Sequence, residues 1–294
     1  LINEASRPLV VAGQGVIISG AHEELKELAE KAQIPVVTTL LGIGSFPESH
    51  VLSFGMLGMH GMAYANMAIN TADVIIAIGM RFDDRATGKV SAFASQAQII
   101  HVDIDPAEIG KNLPVAVPIV GDGKAVLQAL NKEIGRADHR EWIRQLEEWR
   151  REHPCVVIPE RDGLLPQYAI RQIYEITRGQ ALIVTGVGQN QMWAAQHFWY
   201  DKPRSFITSG GLGAMGFELP AALGAKVGCP QETVWCIAGD GGFQMTMQEL
   251  ATLVQDNIAV KIAIINNGFL GMVRQWQELF YQRNYVGTRL WGPD

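Results

Sequence analysis

Three cysteines are too few and too far apart to build a disulfide frame or a zinc site: Cys155, Cys229 and Cys236 are odd in number, and no CxxC occurs. A reducing compartment is expected. Charged residues make up 18% of the chain, the net charge is −6, and Lys and Arg form no block. Nucleic acid is therefore not an expected partner. No apolar run approaches the roughly 18 residues of a membrane-spanning helix, and no signal-peptide pattern opens the chain at Leu1. What is plentiful is apolar side chain, at 48%, and glycine, at 31 residues. For 294 residues that content predicts a soluble α/β protein of two domains with a real core.

The densest signal is Gly239-Asp240-Gly241, followed one unit later by Asn266-Asn267. Thr233 to Ala238 reads as a buried strand ending at the acidic residue, and Val260 to Ile265 as a second ending at the paired asparagines. Thr246 to Gln255 between them has apolar residues at helical spacing, with Thr246 and Glu249 in a capping-box pattern. This predicts a βαβ unit with parallel strands. The Asp240 carboxylate and the Asn267 amide oxygen would then share one sheet edge, where open α/β sheets bind ligands. Two oxygen ligands beside a helix N-terminus suit Mg²⁺ carrying a phosphate. Gly241 and Gly242 allow close backbone approach. The plain alternative is a tight strand-to-helix turn with a solvated Asp.

The first half alternates strands and helices. Strands are expected at Pro8–Ala12, Pro35–Thr39, Asp73–Gly79, Gln98–Asp103 and Pro118–Val120, with helices at His22–Ala32 and Lys124–Ile134. Gly13-Gln14-Gly15 follows the first strand, a weak signal because any tight βα turn may use it. Asp103 and Asp122 follow strands and are candidates for a ribose hydroxyl, or simply helix N-caps. Charged residues 136–152 carry Trp142, Ile143, Leu146 and Trp149 at helical spacing, then Pro154, Pro159 and Pro166 break the pattern. The expected layout is a central domain over 1–135, a linker over 136–165 and a second domain over 166–294. In that last part, Pro166–Thr177 and Pro220–Val227 read as helices, and Ala181–Thr185 and Phe206–Ser209 as strands.

Longer motifs make the chain similar to a known family. Val187-Gly188-Gln189, Met192-Trp193-Ala194-Ala195-Gln196, Ser209 to Gly216 (SGGLGAMG) and Gly271 to Trp276 (GMVRQW) accompany the Asp240 and Asn267 signature. Arg81 to Arg85 (RFDDR) and Gly58-Met59-His60-Gly61 stand in the first half. Together they resemble the catalytic subunit of the acetohydroxyacid (acetolactate) synthases, over essentially all 294 residues.

The resemblance implies two doubly wound parallel-sheet domains and three cofactors: thiamine diphosphate, Mg²⁺ and FAD. It implies Asp240, Asn267 and the Phe269 carbonyl as Mg²⁺ ligands. Around thiamine diphosphate it sets Val187, Gly188, Gln189, Asn190, Gly213, Met215, Gly239, Gly241, Gly242, Gly271 and Met272, with Met215 wedged between the two rings. Asn190 stands where relatives often carry His. Val273, Trp276 and Met272 would border the substrate pocket. FAD, without a net redox role, would be lined by Gly13, Gly15, Thr39, Leu40, Met59, His60, Gly79, Arg81, Asp83, Arg85, Asp103, Ile104 and Asp122. Leu41 replaces a polar residue of some relatives.

The implied reaction joins pyruvate to a second 2-oxo acid, pyruvate or 2-oxobutanoate, with loss of CO₂, in branched-chain amino-acid synthesis. The implied partners are these small 2-oxo acids, further copies of the chain in a homodimer or homotetramer, and a small regulatory subunit. The implied compartment is bacterial cytoplasm, or plastid or mitochondrion in a eukaryote. No residue here takes the activating glutamate's role, which in the family belongs to an N-terminal pyrimidine-binding domain. The chain is thus expected to be a fragment that holds cofactors without competent catalysis. Two alternatives stay open on the residues alone: another thiamine diphosphate enzyme (glyoxylate carboligase, pyruvate oxidase or a 2-oxo acid decarboxylase), or a non-catalytic nucleotide-binding module.

Overall fold

The computed structural model describes residues 1–292. Two compact units divide it: Leu1–Val157 with Tyr200–Pro203, and Ile158–Trp199 with Arg204–Asp294.

The first unit follows its apolar runs. Its elements are β1 (Pro8–Ala12), α1 (Gln14–Ile18), α2 (His22–Ala32), β2 (Val36–Thr38), β3 (Ser53–Met56), α3 (Ala63–Thr71), β4 (Val74–Ile78), α4 (Asp84–Thr87), β5 (Gln98–Asp103), β6 (Val117–Val120), α5 (Gly123–Glu133) and α6 (Arg140–Glu152). Among the described residues the six strands form one parallel sheet in the order β3-β2-β1-β4-β5-β6. Period-2 alternation sends Leu9 and Val11 of β1 to one face and Val10 and Ala12 to the other. The first face packs against Ala65, Ala68 and Ile69 of α3 and Trp142 and Leu146 of α6. The second packs against Leu25, Leu28 and Ala29 of α2 and Leu127 of α5. A sheet buried on both faces needs near-continuous apolar strands, and β1 and β4 are buried throughout. Trp142 also donates from Nε1 to the Pro8 carbonyl at 3.0 Å, so the charged segment's helix is tied to this unit.

The second unit consists of α7 (Pro166–Thr177), β7 (Leu182–Thr185), α8 (Gln189–His197), β8 (Phe206–Thr208), α9 (Glu218–Gly228), β9 (Val234–Gly239), α10 (Asp240–Thr246), α11 (Leu250–Gln255), β10 (Lys261–Ile265) and α12 (Gly271–Phe280). Its described strands run parallel in the order β10-β9-β7-β8. Val184, Cys236 and Ala238 of the sheet pack with Leu219 and Ala222 of α9 and Leu253 of α11. No helix among the described residues is long and apolar enough to cross a membrane.

Two local readings are corrected. The helix expected from Thr246 begins instead at Asp240, directly off β9, and a 3-10 turn over Met247–Glu249 separates it from α11. The capping box does not form: the Thr246 hydroxyl donates to the Gly216 carbonyl at 3.1 Å. Tertiary contact here overrides the low helix propensity of Gly241 and Gly242. Strand β3 gives no alternating signal, because Gly55 within it takes a left-handed φ of +72°.

Candidate active site

Parallel order and register decide what meets at the sheet edge of the second unit. β9 and β10 pair Gly239 with Ile265, so both chains leave the sheet at the same level. Asp240 and Asn266-Asn267 are thereby brought together. β7 neighbours β9 on its other side, so the loop at Gly186–Gly188 adjoins the same edge. The chain turns to opposite directions from β7 and β9, and ligand crevices form at such switch points.

The resulting cleft has a volume of about 430 Å³, counting space open to solvent. Val187, Gly188, Gln189 and Asn190 form one wall, Gly239 to Gly242 the floor, and Asn267 and Phe269 to Val273 the other wall. Met215 reaches in from the glycine-rich turn, where Ser209 Oγ accepts from the Ala214 N–H at 3.0 Å. Gly213 and Trp276, expected here by resemblance, are not among the lining residues. Trp276 instead packs against Phe280 on the same helix, ring centroids 5.1 Å apart and planes tilted by 59°. Val273 lies on the rim, 47% exposed. Trp193, Ile265 and Leu270 also line the cleft, although the sequence did not nominate them. Trp193 sits one turn after Gln189 on α8, which is the signal that could have found it.

Hydrogen bonds fix the acidic end. Asp240 Oδ2 accepts from the Gly268 N–H at 2.9 Å, which leaves Oδ1 as the oxygen it can offer. Asn267 Oδ1 accepts from the Phe269 N–H at 2.9 Å, and its amide donates to Gln189 Oε1 at 3.3 Å. Gln189 in turn donates to Gln275 Oε1 at 3.0 Å, linking α8 to α12. Residues 268–270 pair with 288–290: Leu270 N–H donates to Thr288 O, and Leu290 N–H to Gly268 O. In that antiparallel pattern the peptide groups of Phe269 itself face the other way. The Asp240 carboxylate, the Asn267 amide oxygen and the Phe269 carbonyl are hard oxygens of the kind Mg²⁺ takes. Among the described residues no group of three or more His, Cys, Asp or Glu is placed to hold a metal ion.

Asn190 lines the cleft and has a structural task besides. It is buried, and its amide donates to the Ile237 carbonyl at 3.0 Å, so that donor braces β9. Gly188 has φ +149° and ψ −164°, a region essentially confined to glycine. A Cβ on Gly241 would come within 2.9 Å of Leu270 Cδ2 and 3.4 Å of Met215 Cε, so the bare backbone here lets both side chains close on the floor. This is a cradle that can meet a phosphate through N–H groups.

At the corresponding edge of the first unit, the topology collects the residues that the resemblance linked to FAD. Gly13 and Gly15 follow β1, Thr39 and Leu40 follow β2, Met59 and His60 follow β3, Gly79 to Arg85 follow β4, Asp103 and Ile104 close β5, and Asp122 follows β6. Many have structural tasks. Asp83 caps α4 through the N–H groups of Arg85 and Ala86, and Asp122 caps α5 through Lys124 and Ala125. Thr39 Oγ1 accepts from Gly42, and Asp103 Oδ1 from Asp105. Arg85 lies 3.8 Å from Asp84, and Arg81, Met59 and Ile104 are exposed. His60 is held below its ordinary pKa by burial and by Arg85.

Residues 1–130 match the thiamine pyrophosphate enzyme central domain, and residues 186–294 the C-terminal TPP-binding domain of the same enzymes. Acetolactate synthase of Mycobacterium bovis is 52% identical over 297 residues, 99% of this chain and 48% of that protein. The chloroplastic acetolactate synthase 1 of Nicotiana tabacum is 50% identical over all of this chain and 44% of its own length. The acetolactate synthase large subunit of Corynebacterium glutamicum is 51% identical, covering 99% of this chain and 47% of its own. The chain spans about half the length of the curated relatives it matches. With both units matched and the identity running through both, the chain belongs to the thiamine pyrophosphate enzymes, as a homologue of acetolactate synthase large subunits.

Proposed function

We propose that this chain supplies the thiamine diphosphate and Mg²⁺ site of an acetolactate synthase. The enzyme joins pyruvate to a second 2-oxo acid, pyruvate or 2-oxobutanoate. The products are CO₂ and 2-acetolactate or 2-aceto-2-hydroxybutanoate, early in branched-chain amino-acid synthesis. The observation that carries this reading is the cleft that joins Asp240 and Asn267 to the Gly188 loop, in a chain about half identical to acetolactate synthases.

In this reading Asp240, Asn267 and the Phe269 carbonyl hold Mg²⁺. The backbone of Gly188, Gly241 and Gly242 cradles the diphosphate, with Gln189 and Asn190 beside it. When bound, thiamine diphosphate supplies an acidic thiazolium carbon able to add to a 2-oxo acid and take up the electron pair released with CO₂. Met215 and Met272 give apolar walls that exclude water from that carbon. Val273 borders the acceptor side, and Trp276, one turn further along α12, carries the specificity for the larger acceptor. Gly213 frees the glycine-rich turn to present Met215. No residue of this chain is assigned the activating proton transfer.

The first unit is proposed as the FAD-binding domain. Its sheet order is that of dinucleotide-binding folds, and Gly13, Gly15 and Gly79 flank the switch point between β1 and β4. Arg81 and Arg85 suit the diphosphate, and Asp103 a ribose. The segment between the units acts as the linker, and the whole enzyme assembles as a homo-oligomer with a regulatory subunit. It works in bacterial cytoplasm or in a plastid or mitochondrion.

Product analysis tests this. The full-length enzyme containing this chain, given pyruvate, thiamine diphosphate and Mg²⁺, is expected to form acetolactate. Acetaldehyde or acetyl phosphate as the main product would contradict the reading in favour of another thiamine diphosphate enzyme.

A further inference from the structure

Glu218, the first residue of α9, is 1% exposed in a helix whose other residues, Lys226 near its end apart, are small or apolar. Its carboxyl lies directly against two glycines of the cleft's loops. A Cβ on Gly186, after β7, would fall 2.0 Å from Glu218 Oε2; one on Gly242, in the first turn of α10, would fall 2.2 Å from Oε1. Glu218 is thus packed behind the wall formed by Val187, Gly188 and Gly242, on the protein side of the floor. Oε2 is buried with no hydrogen-bond partner.

Among the described elements that pack most closely on α9, none offers a compensating charge. α9 packs against β7, β9, α10 and the 3-10 turn after it. These contribute Cys236 from β9, Asp240 from α10 and Glu249 from the turn as titratable groups, and no cation. Lys226 on α9 itself donates to the Pro230 and Glu232 carbonyls at the far end of that helix. Burial raises the pKa of Glu218, against smaller opposing contributions from the backbone at Glu218 and Gly216. Cys236 is pushed up to about 12, first by burial and then by Glu218. Burial with Oε2 left unpartnered favours the neutral acid over the carboxylate.

We infer that Glu218 is an acid built behind the anion cradle, and that its charge sets how tightly the cradle holds a diphosphate. The inference rests on the thiamine diphosphate reading above. Neutral, the carboxyl spaces the Gly186 and Gly242 turns and adds no charge behind the cradle's N–H groups. Ionised, it sets a negative charge behind those same N–H groups, through low-dielectric protein, and opposes the ligand's phosphates. Glu218 is a positioning residue: it acts through the two glycine turns. Linkage makes the effect reciprocal, so a bound diphosphate must also make Glu218 harder to ionise.

Calorimetric titration of the whole chain with thiamine diphosphate and Mg²⁺, across the pH range, tests this against Glu218→Gln, which keeps the shape and cannot ionise. The two should bind alike at low pH. Above the midpoint of Glu218 the unsubstituted chain should bind about tenfold more weakly than Glu218→Gln, the effect of one nearby charge. Curves that track each other at every pH would overturn the inference and leave the thiamine diphosphate reading intact. No binding by either form would overturn both. A second measurement needs no variant: the carboxyl carbon resonance of Glu218, followed by NMR, should titrate about one pH unit higher with ligand bound, matching the tenfold effect. A midpoint unmoved by ligand would overturn the inference.

Discussion

The edges of the two sheets carry the same signature, glycines and acids just after parallel strands, and use it differently. In the first unit the glycines close on one another. Gly13 and Gly15 pack backbone to backbone on Gly79, whose N–H donates to Val102 O and whose carbonyl accepts from Gly15. In the second unit the glycines are met by side chains. Asn190 lies on Gly239, Gln189 on Gly271, and Glu218 on Gly186 and Gly242. The acids diverge likewise. Asp83 and Asp122 cap helices, whereas Asp240 bridges to Gly268 across two strand ends. A glycine-acid pattern after a strand therefore marks a close approach, and only the partner decides whether it packs a fold or opens a cradle.

Substitutions can break the comparison, and the largest effect is expected where glycines pack on each other. In Gly13→Ala the new methyl would sit 2.1 Å from the Gly79 carbonyl oxygen, against backbone that cannot turn aside. The first unit should lose about 3 kcal/mol or more, seen by denaturant titration, while thiamine diphosphate binding at the second is unchanged. Gly188→Ala should cost about 1–3 kcal/mol, because its φ lies where only glycine is at ease, and should also weaken that binding at least severalfold. A change in binding by Gly13→Ala equal to that of Gly188→Ala would erase the contrast.

The units should also respond to pH from opposite sides. Burial, opposed by the Tyr200 N–H and helped by Asp201, raises Glu48 to about 8. Its folded pKa lies above its unfolded one, so the stability it contributes is full in acid and lost as pH rises towards 8. Burial, then Arg171, lowers His197 to about 4. That contribution is full above its unfolded pKa of about 6.5 and is lost as pH falls towards 4. Melting curves of Glu48→Gln should lose the alkaline decline, and those of His197→Gln the acid one; an unaltered pH profile in either would refute the assignment. The smallest effect belongs to a cap. Asp122→Ala should cost about 1 kcal/mol, and Asp122→Asn, which still caps, close to nothing.

Much of the second edge was legible in the sequence, because Asp240 and Asn266-Asn267 interrupt apolar runs at the points where parallel strands must end together. Five of the six strands of the first unit were legible for the same reason, and β3 was not. Glu218 was not. On sequence it is a polar residue at the start of a small-residue helix, and the glycines it fills lie on two other elements. The start of α10 was hidden by Gly241 and Gly242, poor helix formers held helical by packing. α8 was hidden because it buries Asn190, Gln191 and His197 and so shows no apolar stripe.

The most direct test of the central claim is calorimetric titration of the chain with thiamine diphosphate, first with Mg²⁺ and then with EDTA, repeated on Asp240→Ala. The account predicts binding that requires Mg²⁺ and weakens about a hundredfold or more without the Asp240 carboxylate, which anchors Gly268 and is the proposed metal ligand. Binding that ignores EDTA, or survives intact in Asp240→Ala, would contradict it.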